Sequence, residues 1–230
     1  MGRMGYGYGS EFHLLRWMGR HRGEFDKRVG EVLGIGDAKI EWFDFDFDER
    51  KPIPDAEVKG LGFLKDDSRY GEIKADFEVG ECSWPQRGES MNWDAVGRVG
   101  RRYILCEAKA HVEEIEKVHK LTPSSSVEQR RKAFEFAKGW IGVTGSPDWL
   151  RNYFQMANRL YILSLLDKHQ IDAVLLNVYF CGDGHSNWTC PRSSDEWDPI
   201  IQDEARKLGI EDNLFVKANV KNLFLPVMLK

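Results

Sequence analysis

Apolar and polar positions along this 230-residue chain follow two periods, and their order lays out a fold. From Ser10, read as an N-cap, to about Leu33, the residues Leu14, Trp17, Met18, His21, Phe25, Val29 and Val32 recur every three or four positions, the stripe of an amphipathic helix. Ile40 to Asp48 alternates instead, with Phe43, Phe45 and Phe47 on one face and Asp44, Asp46 and Asp48 on the other, which predicts a half-buried strand. Between Pro52 and Gly80, short strand-like pieces are cut by Gly, Pro and Asp turns, and Arg69 to Val79 is the best of them; a polar loop, Glu81 to Asn92, follows. Tyr103-Ile104-Leu105-Cys106 is apolar and β-prone and predicts a buried strand. Ser126 to about Trp140 reads as a helix, and so does Gly145 to about His169, opened by Ser-Pro-Asp with Pro at the first helical position. Asp172 to Phe180 is nearly continuous in apolar residues, as expected of a strand covered on both faces. A helix from Ser194 to about Leu208 and one or two strands between Leu214 and Leu229 close the chain. This order predicts an α/β fold, a mixed central β-sheet flanked by helices, with residues 10–230 as one domain behind a flexible Gly- and Tyr-rich N-terminus at 1–9.

The buried run ends in two charges, Glu107 and Lys109. Strand side chains alternate, so both emerge on the face of Tyr103 and Leu105. Gly100-Arg101 suits a two-residue type II′ hairpin turn with Gly first. Opposed positions then sum to 201, and Asp94 falls across from Glu107 with Cβ atoms roughly 4.5–5.5 Å apart. Two like charges at that spacing repel, which predicts a cation between them, with Lys109 placed to steady an anion or a water beside it.

An Asp opening one strand, then Glu-x-Lys on the next, resembles the PD-(D/E)XK phosphodiesterase superfamily and its restriction-endonuclease-like fold. The likeness covers the topology from about Ser10 to Asp183, although the Asp follows Trp93 rather than Pro. It implies a metal-dependent nuclease in which Asp94, Glu107 and the Ala108 carbonyl hold Mg²⁺ or Mn²⁺ and Lys109 orients a water or stabilises developing charge. It also implies that Glu24, on the first helix, completes the metal site; the local alternative is an i,i+4 pair with Arg28. Gln155, four residues before Arg159 on one helix face, resembles the Gln-bearing helix of RecB-like nucleases, with Arg159 standing where Tyr is usual. Arg159, Arg130 and Arg131, together with the loop residues Trp84 and Asn92, are the candidate substrate contacts.

Composition narrows the classes. Net charge is −4, so nucleic-acid binding would need local basic surface. The expected partner is nucleic acid, DNA ahead of RNA, with a homodimer left open. Cys82, Cys106, Cys181 and Cys190 form no C-x-x-C pair, which points to a reducing, cytoplasmic setting. No signal-peptide pattern or membrane-length apolar run is present, so no membrane partner is expected. The alternating aspartates lack the glycine and closing Glu of an EF-hand, and Cys181, His185 and Cys190 lack a fourth zinc ligand. Two other readings stay open: a catalytically silent nuclease-fold module that binds nucleic acid or a protein partner, and an ordinary α+β protein carrying the motif by accident.

Overall fold

The computed structural model describes residues 8–43, 57–80, 83–85, 91–116, 125–151, 153–185 and 187–228. Most of the expected flexible tail, Asp44 to Asp48 and much of the 81–92 loop lie outside these residues. The first amphipathic stripe folds as two helices, α1 (Ser10–Arg20) and α2 (Arg22–Leu33). His21 leaves helical geometry at φ −122°, yet its N–H still donates to the Trp17 carbonyl and its carbonyl accepts from Phe25. The stripe therefore stays continuous through a bend, and Leu14, Trp17, Met18, Phe25 and Val29 are all buried. Gly9, not Ser10, precedes the first turn, and Gly34 ends α2 in the left-handed conformation that Gly adopts without strain.

Strand β1 is short, Glu41–Trp42, and β2 (Val58–Lys59) pairs with β3 (Asn92–Trp93) in a small ribbon. Arg69 to Val79, expected as a strand, is the helix α3 (Tyr70–Glu78). Ile73 is fully buried and Tyr70 and Phe77 pack beside it, a three-then-four spacing that favours a helix. Then come β4 (Ala95–Val99), β5 (Arg102–Lys109), α4 (Ser125–Ile141), α5 (Phe154–Lys168), β6 (Ala173–Cys181), α6 (Ser194–Leu208), α7 (Leu214–Asn219) and β7 (Val220–Pro226).

Two other expectations change. Helix α5 starts at Phe154, because Trp149 plunges into the core and donates to the Leu208 carbonyl, while Asp148 Oδ1 closes a local turn on the Leu150 N–H. The closing segment spends its first six residues on α7 before β7 begins.

The main sheet runs β1-β4-β5-β6-β7, with β1, β4 and β5 antiparallel and β5, β6 and β7 parallel. Alternation along the strands sorts the core onto two faces. Ile104, Cys106, Ala108, Val174, Leu176 and Val178 point toward α1 and α2. Val96, Tyr103, Leu105, Leu175 and Tyr179 point toward α4, α5 and α6. The result is an α/β fold with a five-stranded mixed sheet between helical layers. Four buried tryptophans lock these layers by donating indole N–H to backbone carbonyls: Trp17 to Pro226, Trp93 to Gly60, Trp149 to Leu208 and Trp197 to Phe180. No helix among the described residues is long and apolar enough to cross a membrane.

Candidate functional site

The β4–β5 hairpin turns at Gly100-Arg101, with positive φ (57°) at Gly100 alone, the pattern of a type II′ turn. Pairs run from Val99 with Arg102 to Ala95 with Cys106, the register expected from the turn. Asp94 lies one step past the ladder, at the bend between β3 and β4. Its N–H still donates to the Cys106 carbonyl at 3.2 Å, and its Oδ2 accepts from the Ala108 N–H at 2.6 Å. Asp94 thus shares the Val96 and Leu105 face with Glu107.

Glu107 is buried at 5% exposure. Lys109 and the Gln155 amide both donate to its Oε1, while the Arg159 guanidinium reaches Oε2 through Nε (2.9 Å) and Nη2 (2.6 Å). Arg159 also donates to the Asn92 carbonyl and lies 4.4 Å from the centre of the Trp93 ring. Charge follows this geometry. Burial works against the Glu107 carboxylate, but Arg159 and Lys109 outweigh it and hold its carboxyl below the ordinary value. Burial likewise works against the Lys109 ammonium, which Glu107, Glu114 and Asp94 more than offset. On Asp94 the same two cations are outweighed: burial first, then Glu107 alongside, pushes it up to about 8.

Two residues that the sequence reading missed complete the cluster. Asn177 on β6 pairs in register with Glu107, is 5% exposed, and donates from Nδ2 to Asn222 on β7 at 3.1 Å. Glu204 on α6 is 7% exposed and, with Glu107, Lys109, Asn177 and Tyr179, lines a cavity of about 20 Å³, room for about one water. Burial, with Glu107 adding to it against the pull of Lys109, pushes Glu204 up to about 8. Both left a trace in the chain: Asn177 interrupts an otherwise apolar strand, and Glu204 stands seven residues after Trp197 and four before Leu208, inside the apolar stripe of its helix.

Other candidates do not reach the cluster. Glu24 makes the i,i+4 pair with Arg28 at 2.7 Å, partly exposed, on a helix that packs against the opposite sheet face. Trp84 is 2% exposed among Phe134, Phe154 and Tyr161, so it is a core ring rather than a surface contact. Arg130 lies over the Trp84 and Phe154 rings, and Arg131 is exposed beside Glu128 at 3.4 Å. The Asn92 side chain donates to Glu57. Cys190 and His185 pack against their own loop, His185 stacked on Trp188 at 3.6 Å.

Carboxylate and backbone oxygens at Asp94, Glu107 and Ala108 are the donors a hard divalent cation takes. An ion there competes with Lys109, Gln155 and Arg159 for Glu107. Among the described residues, no three carboxylate, imidazole or thiol side chains stand together as an ion-binding group. No family model, curated protein or solved structure matches the chain.

Proposed function

We propose that this protein is a metal-dependent phosphodiesterase that hydrolyses nucleic acid, DNA ahead of RNA, from a restriction-endonuclease-like fold. One observation carries the reading: Asp94, Glu107 and Lys109 meet on one sheet face at the end of a hairpin, and Gln155 and Arg159 of α5 close over them. The strand directions, an antiparallel meander followed by a parallel strand reached through helices, agree with it.

Asp94, Glu107 and the Ala108 carbonyl would hold Mg²⁺ or Mn²⁺, which supplies an activated water and neutralises phosphate charge. Lys109, kept charged by its acidic neighbours, stabilises negative charge growing on the phosphate. Arg159 presents a planar fork suited to two phosphate oxygens, and Trp93 with the Asn92 carbonyl keeps it in place once Glu107 is otherwise engaged. Gln155 orients Glu107 from the first turn of α5.

A second reading has its own support. Glu107 is already satisfied by two cations and an amide, as in a cluster that only needs to be stable. The protein would then be a silent module that binds nucleic acid or a protein partner.

Incubation of the full chain with linear, nicked and single-stranded DNA and with RNA, in Mn²⁺ or Mg²⁺, separates the two. Cleavage that disappears in Glu107→Gln and Lys109→Ala supports the enzyme. Binding without cleavage of any substrate supports the module.

A further inference from the structure

We propose that the cavity between Glu107 and Glu204 seats a divalent metal ion, held by the two carboxylates with the Asn177 amide oxygen as a neutral ligand. It deepens the phosphodiesterase reading, resting on it only in taking Glu107 as an ion ligand. Asp94 does not line this cavity, so the seat lies on the β6 side of Glu107, away from the β4 side where Asp94 stands.

Glu204 is the reason to look there. It is more than nine-tenths buried, opens onto the cavity, and has no hydrogen-bond partner among the described residues. A buried carboxyl in that condition is an expensive thing for a fold to keep. The cations at the cavity wall, Lys109 and Arg159, are both bound to Glu107 instead. Asn177 spends its N–H on Asn222, which leaves its Oδ1 unclaimed among the described residues.

The space therefore faces two oxygen groups that no side chain holds, the Glu204 carboxyl and the Asn177 amide oxygen, while the two cations on its wall are turned to Glu107. Its size suits one water or one small ion. A hard divalent ion takes both carboxyls and the amide oxygen as ligands at once, releasing any proton they carry. With both seats filled, Glu107 is shared between them, the arrangement in which paired ions flank one phosphate.

Mn²⁺ binding to the full chain, followed by the electron paramagnetic resonance signal of the free ion and without nucleic acid, tests the seat. Wild type should take up two ions and Glu204→Gln one, with affinity at the cavity reduced about tenfold or more. Asp94→Asn should keep the cavity ion. Circular dichroism establishes that each variant is folded, and Mn²⁺ should raise the thermal midpoint of wild type by more than that of Glu204→Gln. A folded Glu204→Gln chain that binds and is stabilised like wild type overturns the inference, as does a wild type whose one ion is lost only in Asp94→Asn. If cleavage depends on Glu107 while Glu204→Gln binds Mn²⁺ unchanged, the seat fails and the enzyme reading stands. If Glu204→Gln loses an ion but no nucleic acid is cut, the seat stands and the enzyme reading fails.

Discussion

Replacing Glu204 with Gln should flatten the loss of stability that this protein suffers as pH rises. Glu204 begins from an ordinary value of 4.5 in the unfolded chain and is pushed to about 8 in the fold by burial and by Glu107, against the pull of Lys109. Between those values the folded protein keeps a proton that the unfolded chain has released. The unfolded state then binds fewer protons, so stability falls with rising pH across the window and levels off above about 8. Each pH unit inside the window removes about 1.4 kcal/mol per group, so Glu204 accounts for about 2 kcal/mol between pH 6 and 8. Asp94, raised from 3.8 to about 8, adds a second contribution of the same sign. Buried His13 works the other way: its value is lowered by burial, so it adds stability as pH rises toward 6.5, equally in both proteins. Urea unfolding at pH 6, 7 and 8 should therefore give Glu204→Gln about half the alkaline slope of wild type. Gln is nearly isosteric with the protonated acid, so the two should coincide near pH 5. Parallel curves from pH 6 to 8 would refute a protonated Glu204 in the fold and the burial argument behind it.

Removing the carboxylate of Glu107 leaves the Lys109 and Arg159 charges buried, so Glu107→Ala should lose about 3–5 kcal/mol in chemical denaturation, and adding Arg159→Met should recover part of it. Gly30→Ala should destabilise by about 1–3 kcal/mol, because a Cβ there would stand 2.4 Å from the Gly36 backbone oxygen, where no rotamer change brings relief. Gly19→Ala, with nothing within 4 Å of its Cβ, should instead raise the thermal midpoint through a gain of up to about 1 kcal/mol.

Short-range signals were the readable part of this chain. The hairpin register came from one dipeptide and arithmetic, and Val99 with Arg102 through Ala95 with Cys106 followed it. The apolar run at 172–180 became β6 within a residue at each end, because burial on both faces leaves no alternation to misread. Errors arose where tertiary demands outweighed a local pattern. Ser-Pro-Asp at 146–148 is a sound helix opening, yet Trp149 is drawn into the core and α5 begins about two turns later. Tyr70, Ile73 and Phe77 carry a helical spacing that turn residues on either side obscured. At the site, Glu107, Lys109, Gln155 and Arg159 were legible because two strand positions and one helix face suffice to align them. Glu204 was not, since it arrives from α6, some hundred positions downstream in the chain, and only the packed fold brings it to β5.

The turn at Gly100-Arg101 has a consequence for how this chain can vary. Hairpin tips on a protein surface ordinarily absorb length changes with little effect. A two-residue connection has no residue to give up, so deleting Arg101 would force a new tip and slide β4 by one place against β5. Val96 and Ala95 would exchange faces, and the acid at 94 would swing to the layer of α1 and α2, with Glu107 left behind. An exposed, unremarkable-looking tip thus sets which side of the sheet the acid serves, and a shortened chain could keep its architecture while dismantling its chemistry.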